Sequence, residues 1–246
     1  MRIEVLNCPV DALTMDETVS IIEKAIADKK QIHHVVVNGA KLVKIQTDPV
    51  LRESVVSCDL INADGQGVLM AASMLGKKIP ERVTGIDLME KLVAISAQKG
   101  YKIFFLGARQ DIVETVTAKY EQQYGNAIIA GFRNGYFKDS EEESIALNIA
   151  ASQANILFVA MGTPKKENFL FRNKQILRDV NLIMGVGGSF DVIAGKVKRA
   201  PLWMQRSGLE WFYRMIQEPG RLFYRYFSTN SLLIYYILKA RLSKKA

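Results

Sequence analysis

Five short runs rich in β-branched and aromatic residues alternate with helical patterns, and this alternation constrains the chain more than any other feature. The runs are His33–Val37, Lys102–Leu106, Ala127–Ala130, Ile156–Ala160 and Leu182–Val186. They close on small or polar residues: Asn38–Gly39, Gly107, Gly131, Gly162 and Gly185–Ser189. Helical periodicity covers Asp87–Gln98, Gln110–Tyr124, Ser140–Ser152 and Pro164–Leu177, and Thr14 with Glu17 forms a capping box that opens a helix to about Asp28. Such a chain folds as an α/β protein around a mainly parallel sheet with flanking helices. Ligands of such sheets bind beyond the carboxyl ends of the strands, so the closing loops form the candidate site.

The alternation stops near Lys196–Pro201, where the charge also changes. Residues 196–246 hold eleven Lys or Arg against Glu210 and Glu218, a net charge of +9, which leaves 22 basic and 23 acidic residues for 1–195. Ten of the 22 aromatic residues fall within 201–246. We therefore expect an α/β body over 1–195 and a cationic helical appendage over 196–246. Cations mixed with apolar and aromatic side chains suit a helix lying in an anionic bilayer interface. They also suit nucleic acid, where rings stack on bases, or a helical layer packed on the body.

At 246 residues, 49% hydrophobic and 24% charged, the composition is that of a globular chain able to bury a full core. Cys8 and Cys58 form no C-x-x-C pair, and a reducing compartment is expected. The strand-like start at Met1–Leu6 lacks the basic and apolar regions of a signal peptide. The longest apolar run, Leu232–Leu238, is seven residues, against the ~20 needed to span a bilayer. A cytoplasmic protein, peripheral on the inner membrane face if it meets a membrane, is the expectation.

Four segments carry candidate chemistry. Asn38–Gly39 follows a strand and reads as a turn or a ligand loop. In Ala63–Asp64–Gly65–Gln66–Gly67 a lone carboxylate stands between glycines, either as the N-cap of a helix through Val68–Leu75 or as a general base. In Arg82–Val83–Thr84–Gly85–Ile86–Asp87 the aspartate is expected to cap the next helix. Arg82 reads as an anion anchor, its fork matching diphosphate oxygens, or as a surface ion pair. The stretches Met161–Glu167 and Gly185–Asp191 place small residues where helix N-termini bind phosphate. Phe190 breaks a G-x-G-x-x-G frame starting at Gly185, and no Walker loop, D-x-D pair or H-E-x-x-H occurs, so a dinucleotide fingerprint and a metal site are not expected. His33 and His34 are adjacent in a strand and face opposite ways.

Taken in order, Asn38, Ala63–Gly67, Arg82–Asp87, Gly162–Glu167 and Gly185–Pro201 resemble the motifs of the WecG/TagA/CpsF family of bacterial glycosyltransferases. Gly208–Leu209–Glu210–Trp211 and Glu218–Pro219 extend the likeness, which runs from about Ile3 to Arg225. The resemblance implies a Rossmann-like body with a membrane-docking appendage. It implies an inverting, metal-independent transferase that moves a sugar from a UDP-sugar to a polyprenyl-diphosphate-linked sugar acceptor, for cell-surface polysaccharide or teichoic acid synthesis. No cofactor beyond the donor and no nucleic acid partner is implied, while an anionic membrane surface is, with a homo-oligomer as one option. The base would be Asp64, and Arg82, Lys166, Arg214, Arg221 and Arg225 would meet the growing charge on the diphosphate in place of a metal. Asn38, Gly65, Gln66, Tyr136, Gly162, Gly187, Gly188 and Ser189 would line the substrate site. Two positions depart from the family pattern, Val36 where a threonine is frequent and Lys166 where glutamine is usual, so the donor sugar is N-acetylmannosamine or another hexose. The reading from another class is a noncatalytic membrane-surface or nucleic-acid-binding α/β protein in which Asp64 is only a cap.

Overall fold

The computed structural model describes residues 1–162 and 165–243, the side chains of Arg221, Arg225 and Ser243 excepted. Thr163, Pro164 and residues 244–246 thus lie outside the described residues. The chain opens with a hairpin, β1 (Arg2–Val5) and β2 (Cys8–Asp11), joined by Leu6 and Asn7, both with positive φ as a two-residue twisted turn demands. Then follow α1 (Met15–Ala27), β3 (Ile32–Val37), α2 (Gly39–Lys44), α3 (Pro49–Val56), β4 (Leu60–Ala63), α4 (Gln66–Met74) and α5 (Gly85–Lys99). The second half runs β5 (Ile103–Gly107), α6 (Gln110–Tyr124), β6 (Ile129–Arg133), α7 (Glu142–Ala151), β7 (Ile156–Ala160), α8 (Lys165–Arg172), β8 (Leu182–Gly185) and α9 (Ser189–Ile193). Helices α10 (Leu202–Arg206), α11 (Glu210–Gln217) and α12 (Pro219–Ser243) complete it.

Strands β3 to β8 make one six-stranded parallel sheet in the order β4-β3-β8-β7-β5-β6, the α/β architecture that the alternating pattern predicts. Because both faces are covered, successive side chains along a strand enter different cores. Phe105, Phe158 and Met184 pack with α1, α5, α6 and α9 on one face, while Phe104, Leu157 and Ile183 pack with α7 and α8 on the other. At the β3–β4 end that second face is covered by α2, α3, α4, the hairpin and α12.

The boundaries shift where local chemistry intervenes. Asn126–Ile128 forms a short 3-10 turn, so the strand expected at Ala127–Ala130 begins at Ile129. The helix expected to reach Leu177 ends at Arg172, where the side-chain Nδ2 of buried Asn173 donates to the Phe169 carbonyl. Strand β4 escaped the pattern because it has four residues and buried Asn62 in the middle. The structure satisfies Asn62 locally: its Oδ1 lies 2.9 Å from His34 Nε2, and its Nδ2 donates to Thr18 Oγ1. Burial pushes the His34 ring down to about 4 and keeps it neutral, whereas His33 faces the other way, toward Gln31 Oε1.

Helix α12 is built into the body. Leu233 and Ile237 are buried within the β3–β4 core, and Leu222 is also buried. The close approach depends on two glycines, since a Cβ on Gly39 or on Gly67 would stand 3.2 Å from Leu233 Cδ2. Leu233 thus fills a notch between the first turns of α2 and α4, the two helices that leave the candidate site. Replacing Leu233 with Ala leaves a cavity there and should cost about 2–4 kcal/mol. Denaturant unfolding should show this as a lower midpoint at unchanged slope, and an unaltered midpoint would refute the packing role.

Candidate active site

The carboxyl ends of β3 and β4 and the segment before α5 are tied together through their backbones. Asp64 N–H donates to Val37 O at 2.7 Å, and Val83 N–H donates to Ala63 O at 3.0 Å. These bonds set Asn38, Asp64 and Arg82 on one rim. Asn38 caps α2, its Oδ1 accepting from Lys41 N–H at 3.0 Å, and it packs beside Gly65. Asp64 does not cap α4, as one reading of the sequence held. The N-cap is Gly65, with φ 115, and no side chain caps that helix. Likewise Thr84, not Asp87, caps α5; its Oγ1 accepts from Asp87 N–H and contacts the Asp87 carboxylate. The freed Asp64 carboxylate faces the site.

Part of Asp64 reaches solvent, yet it sits deep among protein atoms, and four charged groups surround it. Burial pushes its carboxyl up to about 6; Arg82 opposes the shift, Glu210 adds to it, and Arg214 and Lys41 oppose it. A carboxylate held near 6 is charged at neutral pH and can still accept a proton, the property of a general base.

Arg82 is not a loose surface cation. Its Nη1 donates to Glu210 Oε2 at 3.2 Å and its Nη2 to Gln205 O at 3.2 Å, so it joins the body to α10 and α11. Arg214 Nη2 lies 3.8 Å from Glu210 Oε1, and Arg199 Nε 3.7 Å from the same oxygen. Arg199 also pairs with Asp87 at 2.6 Å. The turn at Gly208, with φ 74, rests directly on Gln66, where a Cβ would stand 2.8 Å from Cγ. A cavity of about 640 Å³ opens from Gln66 along the outer face of α4, between Leu69, Met70, Met74 and Ile79, with Lys77 and Lys78 at its edge.

The loops after β5 to β8 form the other half of the rim. Helix α6, which follows β5, and α8, which follows β7, lie on opposite faces of the sheet, the arrangement at which parallel α/β sheets bind their ligands. Gly107 is obligatory, because a Cβ would fall 2.4 Å from Ala160 O. Ala108 next to it holds φ 53, a left-handed conformation that a residue with a Cβ seldom adopts. Tyr136 is 73% exposed in the loop after β6. Lys165 secures that loop, its Nζ donating to Gly135 O at 3.0 Å and Phe137 O at 2.7 Å. Gly187, with φ 53, and Gly188 turn the chain into α9, where the Ser189 hydroxyl donates to Val186 O and is turned inward.

Lys166 on α8 pairs with Glu167 at 3.0 Å and lies over Gly185, whose Cβ would stand 3.1 Å from its Nζ. Lys41, which the sequence did not mark, donates from Nζ to Val36 O at 2.8 Å, and burial, reinforced by Lys166, pushes its amine down to about 8. Its signal was spacing alone, three residues beyond Asn38 on the helix that Asn38 caps. Arg221 and Arg225 belong to α12, but their side chains lie outside the described residues, as does the Thr163–Pro164 step after Gly162. Burial pushes the thiols of Cys8 and Cys58 up, to about 12 and about 11, so neither is a nucleophile at neutral pH. Among the described residues no three of His, Cys, Asp or Glu gather as a metal site.

A parallel α/β sheet with a raised-pKa carboxylate beside clustered arginines at one side of its carboxyl edge, and glycine turns at the other, defines the class: a Rossmann-like α/β protein. The chain belongs to the glycosyl transferase WecG/TagA/CpsF family, whose sequence profile matches residues 3–246. It is similar to the N-acetylglucosaminyldiphosphoundecaprenol N-acetyl-beta-D-mannosaminyltransferase of Bacillus subtilis (strain 168), 38% identical over 165 residues. That stretch spans 67% of this chain and 63% of the relative's length.

The raised Asp64 carboxyl implies a stability effect. A carboxyl that holds its proton more tightly when folded contributes stability that is present below pH 4 and lost as the pH rises through about 6. At pH 8 the ionised side chain therefore costs on the order of 2 kcal/mol. Asp64→Asn, which cannot ionise, should raise Tm at pH 8 by roughly 4–8 °C, the gain fading toward pH 4. A lower Tm at pH 8 would show that Asp64 supports the fold instead.

Proposed function

We propose that this chain is an inverting glycosyltransferase that moves a sugar from a UDP-sugar to a polyprenyl-diphosphate-linked sugar. The observation that carries the reading is the Asp64 carboxyl, pushed up to about 6 at the end of β4 with Arg82 and Arg214 facing it. The name of the Bacillus relative supports the acceptor class and N-acetylmannosamine as the transferred sugar. Another hexose is the alternative, since Val36 and Lys166 replace the residues usual in the family.

In this mechanism the acceptor hydroxyl attacks the anomeric carbon as the bond to the diphosphate breaks on the opposite face. The hydroxyl proton passes to Asp64, and the electron pair of the breaking bond leaves on the UDP oxygen. Arg82 and Arg214, with Arg221 and Arg225 as further candidates, counter the charge that grows there. The nucleotide rests on the glycine side of the rim, at Gly162 and Gly187–Ser189 with Tyr136 over it, while Asn38, Gly65 and Gln66 border the reacting sugar. Lys166 stands between the two halves. No metal is required, because clustered cations replace it.

The same reading places the protein on the inner face of a membrane. Among the described residues no helix is long and apolar enough to cross a bilayer. Helices α10 to α12 nevertheless present Trp203, Ile216, Phe223, Tyr224 and Phe227 outward, each more than half exposed, and the segment is strongly cationic. Exposed rings beside arginines suit an anionic lipid surface.

Asp64→Asn should lower turnover by about 10²–10⁴-fold while UDP affinity, measured by calorimetry, stays within threefold. Wild-type kcat/KM should fall on the acid side with a midpoint near pH 6, set by Asp64, and excess EDTA should leave it unchanged. Retention of half the turnover by the variant, or magnesium-reversible inhibition by EDTA, would overturn the mechanism. Phe223→Ser combined with Phe227→Ser removes a stacked, exposed pair from α12. It should weaken sedimentation with phosphatidylglycerol vesicles severalfold, and undiminished binding would refute the membrane face.

A further inference from the structure

Glu210 is the one carboxylate of α11, and the structure places it where charge is hardest to hide. Its side chain is 13% exposed, and three guanidinium groups converge on it. Arg82 reaches it from the body at 3.2 Å, Arg199 from the loop after α9 at 3.7 Å, and Arg214 from the next turn of α11 at 3.8 Å. One carboxylate cannot neutralise three cations. Asp87 and Glu90 take up Arg199, at 2.6 Å and 3.9 Å, which leaves Arg82 and Arg214 sharing Glu210 with positive charge in excess. These are two of the groups that face Asp64; Glu210 itself and Lys41 are the others.

The geometry separates two jobs. Arg82 and Arg214 come from elements 132 positions apart in sequence, and neither side chain has a described hydrogen bond to Asp64. What sets their place beside it is the appendage carboxylate between them, with the Gln205 carbonyl holding the second nitrogen of Arg82. Without that carboxylate two long, mutually repelling cations would swing toward water.

We propose that Glu210 is a positioning residue for the transfer reaction: by holding Arg82 and Arg214 on one carboxylate, it fixes where both cations stand around Asp64. This inference rests on the proposed transferase reading, so its test includes a measurement that needs no turnover.

Two variants separate charge from reach. Glu210→Gln keeps the length and removes the charge; Glu210→Asp keeps the charge and falls short of Arg82. In the full-length protein without substrate, the Asp64 carboxyl is titrated by NMR with carbon-13-labelled aspartate and assigned by its loss in Asp64→Asn. Glu210→Gln should move the Asp64 midpoint up by about half a pH unit, because the retreat of Arg82 and Arg214 outweighs the loss of one negative neighbour. Glu210→Asp, which keeps the negative charge but releases Arg82, should also move it up. With UDP-sugar and a short-chain lipid acceptor, both variants should lose kcat by on the order of tenfold or more, with the donor KM within threefold. The acid limb of kcat/KM should shift with the titration in both variants. A purely structural role would lower the active fraction without moving the limb or the titration. An Asp64 midpoint that is unmoved or lowered in Glu210→Gln, or wild-type kcat in Glu210→Asp, overturns the inference. If Glu210→Gln does not fold, the kcat of Glu210→Asp decides it alone. A shifted midpoint in a protein that transfers no sugar from any UDP donor would sink the transferase reading and leave the electrostatic link standing.

Discussion

A carboxylate drawn away from water must be compensated, and much of this molecule follows from how Asp64 is. Desolvation raises its proton affinity, and Arg82, Arg214 and Lys41 limit that rise. Those cations come from three different parts of the chain, and two of them are themselves held by Glu210. The site is therefore a balance of charges in which no member keeps its place alone. An arginine fork committed to one carboxylate and one carbonyl is fixed in direction as well as in charge.

The packing of α12 serves the same end. Leu233 enters the notch between Gly39 and Gly67, at the starts of the two helices that leave the rim after Asn38 and after Asp64. The glycines let a helix from the end of the chain approach the backbone at that rim, and Gln66 receives the turn at Gly208 from another direction. The segment that carries the exposed aromatic surface is thereby coupled, through close contacts, to the residues around Asp64.

The two halves of the rim owe their separation to topology. The helices after β5 and β7 lie on opposite faces, and of the loops that follow these strands Gly162 is exposed while Gly107 is buried against Ala160. The helices after β3 and β4 share a face and carry polar side chains to the rim instead. Glycine turns and Lys165 shape the first half, and charged side chains the second.

The sequence alone determined the parallel sheet, since alternating strand and helix patterns with loops closed by glycine leave few other ways to bury both faces. Asn38, Asp64, Arg82 and the glycine turns were legible because each sits where a strand pattern stops, and the family motifs stood in order around them. Local pattern misled where a short range had two solutions. Asp64 and Asp87 both read as helix caps, yet Gly65 and Thr84 hold those places. Strand β4 was hidden because Asn62 breaks its apolar run, and only its partner His34, 28 positions away, makes it tolerable there. The roles of Lys41, Arg199 and Glu210 were beyond reach of the sequence. Their significance is a distance to another charge, and electrostatic energy depends on separation in space and on how much water has been excluded, neither of which a linear order of residues contains. Tertiary structure decided that the cationic appendage is clamped to the site by its own carboxylate, because only folding brings residues 82, 199 and 214 around residue 210.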